Sequence, residues 1–110
     1  MPGFPGGNIK EIMKQVQKAQ ELMAKKQEEL GAMRVEASAG GGMVTVTANG
    51  KEEIVDIKID KQVVNPDDVE MLEDLILAAL KEAQLKAKEL IQKEMSGLMG
   101  NLGLPNIPGL

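Results

Sequence analysis

The sequence predicts an α+β fold in which two long helices flank a three-stranded antiparallel sheet, in the order α-β-β-β-α. Three observations support this prediction: a helical repeat over residues 9–30, alternating apolar and polar residues with two turn signals over 33–60, and a second helical pattern after residue 65. Both turn signals place the same apolar residues on one face, so we expect a meander with one apolar and one polar face.

The centre of the chain holds the predicted sheet. Asn49-Gly50 is a strong signal for a two-residue hairpin turn, and Gly40-Gly41 can form a second one. The first turn would pair Val44 with Val55, and the second would pair Ala37 with Val44. The apolar face then consists of Val35, Ala37, Val44, Val46, Ala48, Val55, Ile57 and Ile59.

The first helix is predicted from Asn8, a good N-cap residue, to Leu30, with Gly31 as its C-cap. Apolar residues recur every seven positions at Ile9, Val16, Met23 and Leu30. Five lysines and four glutamates cover the rest of the helix surface. Residues 1–7, which are rich in Gly and Pro, are expected to be a flexible lead-in.

The second helix is predicted to begin at Asn65-Pro66-Asp67-Asp68, where Asn caps and Pro fits the first helical position. It should end near Met95, so that residues 8–96 form one domain and residues 97–110 form a flexible Gly/Pro/Leu tail. Residues 75–80 are apolar nearly all round the helix, which predicts burial on more than one side and hence a homodimer. The predicted dimer interface consists of Leu72, Leu75, Ile76, Leu77, Ala79 and Leu80.

The composition excludes several classes of function. The chain has no Cys, no His and one aromatic residue, so thiol chemistry and the commonest general base and metal ligand are absent. Gly40-Gly41-Gly42 lacks the Lys-Ser/Thr ending of a phosphate-binding loop and precedes a strand. We therefore predict a protein that is not an enzyme, with no catalytic residues, metal, cofactor or small-molecule substrate. No apolar run approaches the length of a membrane span, which predicts a cytoplasmic protein without a membrane partner.

Three lysines form a basic row on the first helix. Lys10, Lys14 and Lys18 are spaced four residues apart and so share one face. Interleaved glutamates and the net charge of −4 favour an ordinary solvated surface. The row alone is compatible with either a solvated face or a site for an anionic partner.

Three segments together are fairly specific for a known family: the helix of residues 14–23, the glycine–strand–Asn-Gly segment of residues 40–50, and residues 71–80 with their Leu-Glu-Asp-Leu sequence. With these segments, nearly the whole chain resembles the YbaB/EbfC family of bacterial nucleoid-associated DNA-binding proteins. The resemblance implies a tweezer-shaped homodimer that binds double-stranded DNA with limited sequence preference, associates with the nucleoid and has no enzymatic activity.

The resemblance makes the helix lysines candidates for phosphate contacts with DNA. The candidates are Lys10, Lys14, Lys18, Lys25, Lys86 and Lys93. A second hypothesis remains open, in which the chain is a dimeric protein–protein adaptor without direct DNA binding. The negative net charge and the lack of aromatic side chains for base stacking favour that alternative.

Overall fold

The computed structural model describes residues 6–101, with the backbone alone for 6–8 and 101. The element order is α-β-β-β-α, as predicted from the sequence. The elements are α1 (Gly6–Ala32), β1 (Arg34–Ala39), β2 (Val44–Asn49), β3 (Ile54–Ile59), a 3₁₀ turn (Lys61–Val63) and α2 (Val69–Asn101). The molecule is elongated, with a longest dimension of 75 Å, because both helices extend beyond a small sheet.

The sheet is the predicted antiparallel meander with strand order β1-β2-β3, but its first register differs from the prediction. Ala39 pairs with Val44, and Ala37 pairs with Val46 instead of Val44. The predicted two-residue turn is wrong because residues 40–43 form a four-residue connection whose three glycines all have positive φ, between 64° and 95°. Glycine adopts this left-handed conformation at little cost, so three in succession allow the longer loop.

The second hairpin also differs from the predicted two-residue turn. The Asn49 amide donates to the Glu53 carbonyl at 2.9 Å, so the loop contains the three residues 50–52. Asn49 is the first residue of this turn, because its side-chain oxygen accepts from the Lys51 amide at 2.8 Å. Glu52 supplies the left-handed position with φ 64°.

A β-bulge in β3 follows this loop, so Val44 pairs with Ile59 and Val46 pairs with Ile57. The predicted pairing of Val44 with Val55 is therefore wrong. Both registers moved by an even number of residues, so Val44, Val46 and Ile57 still share the predicted apolar face.

The helix ends also differ from the predicted ones. α1 continues through Gly31, and the Arg34 guanidinium donates to the Gly31 carbonyl at 2.8 Å, replacing the predicted glycine cap. α2 begins three residues after Pro66, because Asp68 rather than Asn65 is the cap: its carboxylate accepts from the Met71 amide at 3.2 Å. Asn65 instead forms a turn with Asp67.

α2 runs to Asn101, so the predicted domain boundary at residue 96 lies inside the helix. α1 begins at Gly6, so Asn8 lies inside the helix instead of capping it, and residues 6–7 of the predicted lead-in are helical. The remaining residues of the predicted lead-in and tail, 1–5 and 102–110, lie outside the described residues.

The core lies between α2 and the first two strands. Ala79, Ala83 and Ala87 are completely buried, and they bring one side of α2 close to the sheet because their side chains are small. They pack on Val44, Val46 and Ala48 of β2, which are also completely buried. β3 is covered only at Ile54, which packs against the core, whereas Val55, Ile57 and Ile59 remain 43%, 43% and 39% exposed. Most of the part of the apolar sheet face that β3 contributes is therefore open.

Candidate nucleic-acid interface

The first helix is an arm that is attached to the sheet only near its C-terminal end. From Ile9 to Ala32, Leu30 is the only buried residue. Lys10 precedes Leu30 by 20 residues, so it lies ~30 Å along the helix from this attachment. The predicted lysine row is thus carried on the projecting part of the arm.

The row is geometrically regular. Lys10, Lys14 and Lys18 are exposed and lie one helical turn apart, with about 6 Å of helix rise between neighbours. Lys25 follows after seven residues on the same face and is also exposed. Glu21 lies on the same face between Lys18 and Lys25, so this face carries four lysines and one acid. Multiply charged anions are the partners that such a positive surface attracts.

A fifth lysine of α1 has a different role, which the sequence pattern did not indicate. Lys26 is half-buried, and its ammonium lies 3.2 Å from the Glu29 carboxylate and 3.8 Å from the Glu94 carboxylate of α2. Leu22 and Leu98 line the same small cleft between the two helices. Lys26 therefore joins the arm to the distal part of α2.

The two α2 candidates do not extend the row. The Lys86 ammonium donates to the backbone carbonyl of Glu36 at 2.8 Å and so is bonded to the edge strand β1. Lys93 follows seven residues later on the same side of α2. The structure brings four of the six candidate lysines together on one helix face and leaves the other two on a second helix.

The predicted dimer-interface residues are divided between the core and the surface. Ala79 is completely buried within the chain's own core. Leu72, Leu75, Ile76 and Leu80 are partly buried against that core. Leu77 alone is half exposed.

Among residues 6–101, no group of three or more acidic side chains could hold a metal ion. No helix in the described part of the chain is long and apolar enough to cross a membrane.

Comparison with known proteins identifies the family. The model of the YbaB/EbfC DNA-binding family matches residues 6–102, which is most of the chain. The chain belongs to this family. The YbaB/EbfC family is a DNA-binding family and not a family of enzymes, which confirms the prediction that the chain is not an enzyme.

Relatives of this YbaB/EbfC chain are similar over almost their whole length. A nucleoid-associated protein of Pelotomaculum thermopropionicum is 54% identical over 93% of this chain and 97% of its own length. One of Acetivibrio thermocellus is 57% identical over 99% of this chain and 94% of its own. These names agree with the predicted nucleoid-associated location in the cytoplasm.

A solved structure is similar in fold to this YbaB/EbfC chain. The crystal structure of an uncharacterized protein from Helicobacter pylori is similar with a TM-score of 0.61 and 25% sequence identity. The match covers 76% of this chain and 96% of that one. The chain therefore belongs to a DNA-binding family, and its α-β-β-β-α fold is similar to that of this solved structure.

Proposed function

We propose that this protein binds duplex DNA as a homodimer, through phosphate contacts from Lys10, Lys14, Lys18 and Lys25. The observation that carries the proposal is the position of this row on a projecting arm, where all four lysines are exposed. Within residues 6–101 the only lysine in a salt bridge is Lys26, which lies outside the row. The row's charges are thus available to an external anion.

The negative net charge does not prevent this mode of binding. The chain as a whole carries −4, but residues 9–20 contain Lys10, Lys14 and Lys18 against a single acid, Glu11. The projecting arm holds this positive segment ~15–30 Å away from the attachment at Leu30. Salt screens charges at such distances, so a bound phosphate responds mainly to the local row.

The same geometry implies limited sequence specificity. Arginine and asparagine are the side chains that most often read base edges in the major groove. The only arginine, Arg34, lies at the start of β1 and donates to carbonyls at the end of α1. Lysine contacts with phosphates position a protein on DNA without reading its sequence. Binding should therefore be similar on unrelated duplexes, as expected for a role in chromosome organisation on the nucleoid.

The homodimer is supported by the open part of the sheet. α2 covers β1 and β2, while Ile57 and Ile59 of β3 remain exposed on the same apolar face. Lys86 marks the side of α2 that lies over β1, and Leu77 is about 180° round the helix from it. Leu77 is 50% exposed and lies on the side of α2 away from β1.

We infer that these residues line one side of an apolar groove between α2 and β3. A monomeric soluble protein rarely leaves such a contiguous apolar surface open to water. A second copy brings an identical surface, and a two-fold axis would allow each α2 to cover the other chain's β3. Dimerisation would also provide two arms, and two lysine rows bind one duplex more tightly than one.

The test is a titration of duplex DNA at several salt concentrations with a triple Lys10/Lys14/Lys18→Glu variant. Wild-type affinity should fall steeply with added salt, and the slope should decrease by about 0.9 for each phosphate that the variant no longer neutralises. The affinity should fall about equally on unrelated duplexes.

A matched control is the triple Lys58/Lys61/Lys81→Glu variant, which changes the net charge equally at exposed positions outside the arm. It should retain most of the wild-type affinity. If both triple variants lose affinity equally, overall charge rather than the row determines binding. If the wild-type protein does not bind DNA at low salt, the adaptor hypothesis replaces this proposal.

A further inference from the structure

One short backbone contact joins the arm to the sheet, in addition to the Lys26–Glu94 ion pair that joins the arm to α2. The Gly50 amide donates to the Leu30 carbonyl at 2.8 Å, and Leu30 is only 1% exposed. A Cβ atom at position 50 would lie 2.6 Å from the Leu30 carbonyl oxygen and 2.9 Å from the Leu30 Cβ. Only glycine permits this approach, so the loop after β2 directly holds the last turn of α1.

Asn49 fixes the loop that makes this contact. It is the only buried polar or charged residue among the described side chains, and it is 5% exposed. Its side-chain oxygen accepts from the Lys51 amide at 2.8 Å and from the Glu53 amide at 3.1 Å. Its side-chain nitrogen donates to the Glu53 carboxylate at 2.7 Å. The side chain thus bonds the middle residue of the three-residue loop and the residue that follows the loop, on either side of the left-handed Glu52.

The length of the arm amplifies any change at this attachment. Lys10 lies ~30 Å from Leu30, so a rotation of the arm by ~10° would move its ammonium by ~5 Å. Such a displacement exceeds the length of an ion pair and would remove Lys10 from a phosphate on a rigid duplex. Lys14 and Lys18 would move by proportionally less.

We propose that Asn49 and Gly50 are positioning residues for DNA binding, which set the angle of the α1 arm and thereby the location of the lysine row. This inference rests on the proposed function, because it assumes that the row binds phosphates. Neither residue would contact DNA. Their effect is transmitted through the Leu30 carbonyl.

The first test compares Asn49→Ala with Asn65→Ala. Asn65 forms a similar side-chain turn, with its oxygen accepting from the Asp67 amide at 3.0 Å, but it lies before α2 and away from the arm. Asn49→Ala should lower the affinity for duplex DNA about tenfold, since phosphate contacts supply most of the binding free energy. Asn65→Ala should leave the affinity unchanged, although both changes leave the net charge the same.

Arm geometry is measured directly on the same variants. The chain has no cysteine, so spin labels attached through Gln20→Cys and Asp56→Cys report a single distance between the arm and β3. Labelled chain is diluted with unlabelled chain to suppress distances between copies. Asn49→Ala should shift or broaden the distance distribution, and Asn65→Ala should not.

A second pair of variants, with smaller changes, tests whether the effects come from unfolding of the chain. Glu53 is exposed, and Glu53→Ala removes the acceptor of the Asn49 side-chain nitrogen, whereas Glu53→Gln retains an oxygen acceptor with the same loss of charge. Relative to Glu53→Gln, Glu53→Ala should broaden the distribution of the distance between the arm and β3 and should weaken DNA binding. Circular dichroism should show equal helix content in the two variants.

The outcomes separate this inference from the proposed function. If the lysine-row variant loses DNA binding while folded Asn49→Ala and Glu53→Ala retain wild-type affinity, the positioning role is wrong and the proposed function stands. A changed distribution of the label-to-label distance with unchanged DNA affinity would also overturn the positioning role. If wild-type protein does not bind duplex DNA at low salt, both proposals fail.

Discussion

The ammonium of Lys86 donates a hydrogen bond to the backbone carbonyl of Glu36, 50 residues earlier in the chain, at 2.8 Å. Glu36 lies in β1, which is an edge strand with one side unpaired within the chain. A carbonyl on such an edge otherwise bonds to water or to another strand. Lys86 thus fastens α2 to the edge of the sheet, a role that differs from the DNA contact predicted for it.

Replacing Lys86 by alanine should therefore lower stability more than DNA affinity. We expect Lys86→Ala to reduce the free energy of unfolding by about 1 kcal/mol, the usual net value of one hydrogen bond. Lys88→Ala is the control, since Lys88 is an exposed lysine on a different side of the same helix. Urea denaturation of both variants measures the difference. If Lys86→Ala flattens the salt dependence of DNA binding as a row substitution does, Lys86 also contacts DNA.

The proposed dimer groove can be tested by placing a charge in it. Leu77→Lys should dissociate the dimer, because burying an unpaired charge costs several kcal/mol. Leu85 is also 50% exposed, but it lies on the side of α2 away from the sheet, so Leu85→Lys should remain dimeric. Sedimentation equilibrium distinguishes the two states. A stable folded monomer of the unmodified chain would refute the homodimer itself.

The loop of residues 40–43 allows a comparison of two alanine variants, Gly40→Ala and Gly41→Ala. Gly40 and Gly41 have φ values of 64° and 67°, so alanine at either position should cost about 1–2 kcal/mol of left-handed strain. A Cβ at Gly40 would also lie 3.0 Å from a methyl carbon of Leu75, whereas nothing lies within 4 Å at Gly41. Gly40→Ala should therefore lower the melting temperature more than Gly41→Ala. Equal effects would show that Leu75 moves aside without cost.

The distal end of α2 can be tested through Leu98, which is 5% exposed although it lies in the segment predicted to be a tail. Leu98→Ala should reduce the free energy of unfolding by about 2–3 kcal/mol, as for other buried leucines. Leu85→Ala, at a half-exposed position, should cost less. Thermal denaturation of the two variants gives the comparison. An equally small effect of both changes would indicate that residues after 96 are dispensable for folding.

The amino-acid sequence by itself determined the element order, the apolar face of the sheet and the lysine row. These features follow from local periodicity: residues such as Val44 and Val46 alternate along a strand, and residues such as Lys10 and Lys14 repeat at the helical spacing. Most of the apolar face was predicted correctly even though both registers were wrong, because a shift by an even number of residues preserves the face. The bulge adds Ile54, which pairs with Ala48 and was not predicted to lie on this face.

Only the tertiary structure decided the registers and the roles of individual polar residues. The second turn depends on which backbone amides the Asn49 side chain bonds, and the same residue types are compatible with a shorter loop. Gly50 is required by the nearby Leu30 carbonyl, and Lys86 is held by the Glu36 carbonyl. These contacts join residues that are 20 and 50 positions apart, and local sequence periodicity carries no information about such distant pairs because packing brings them together only in the folded chain.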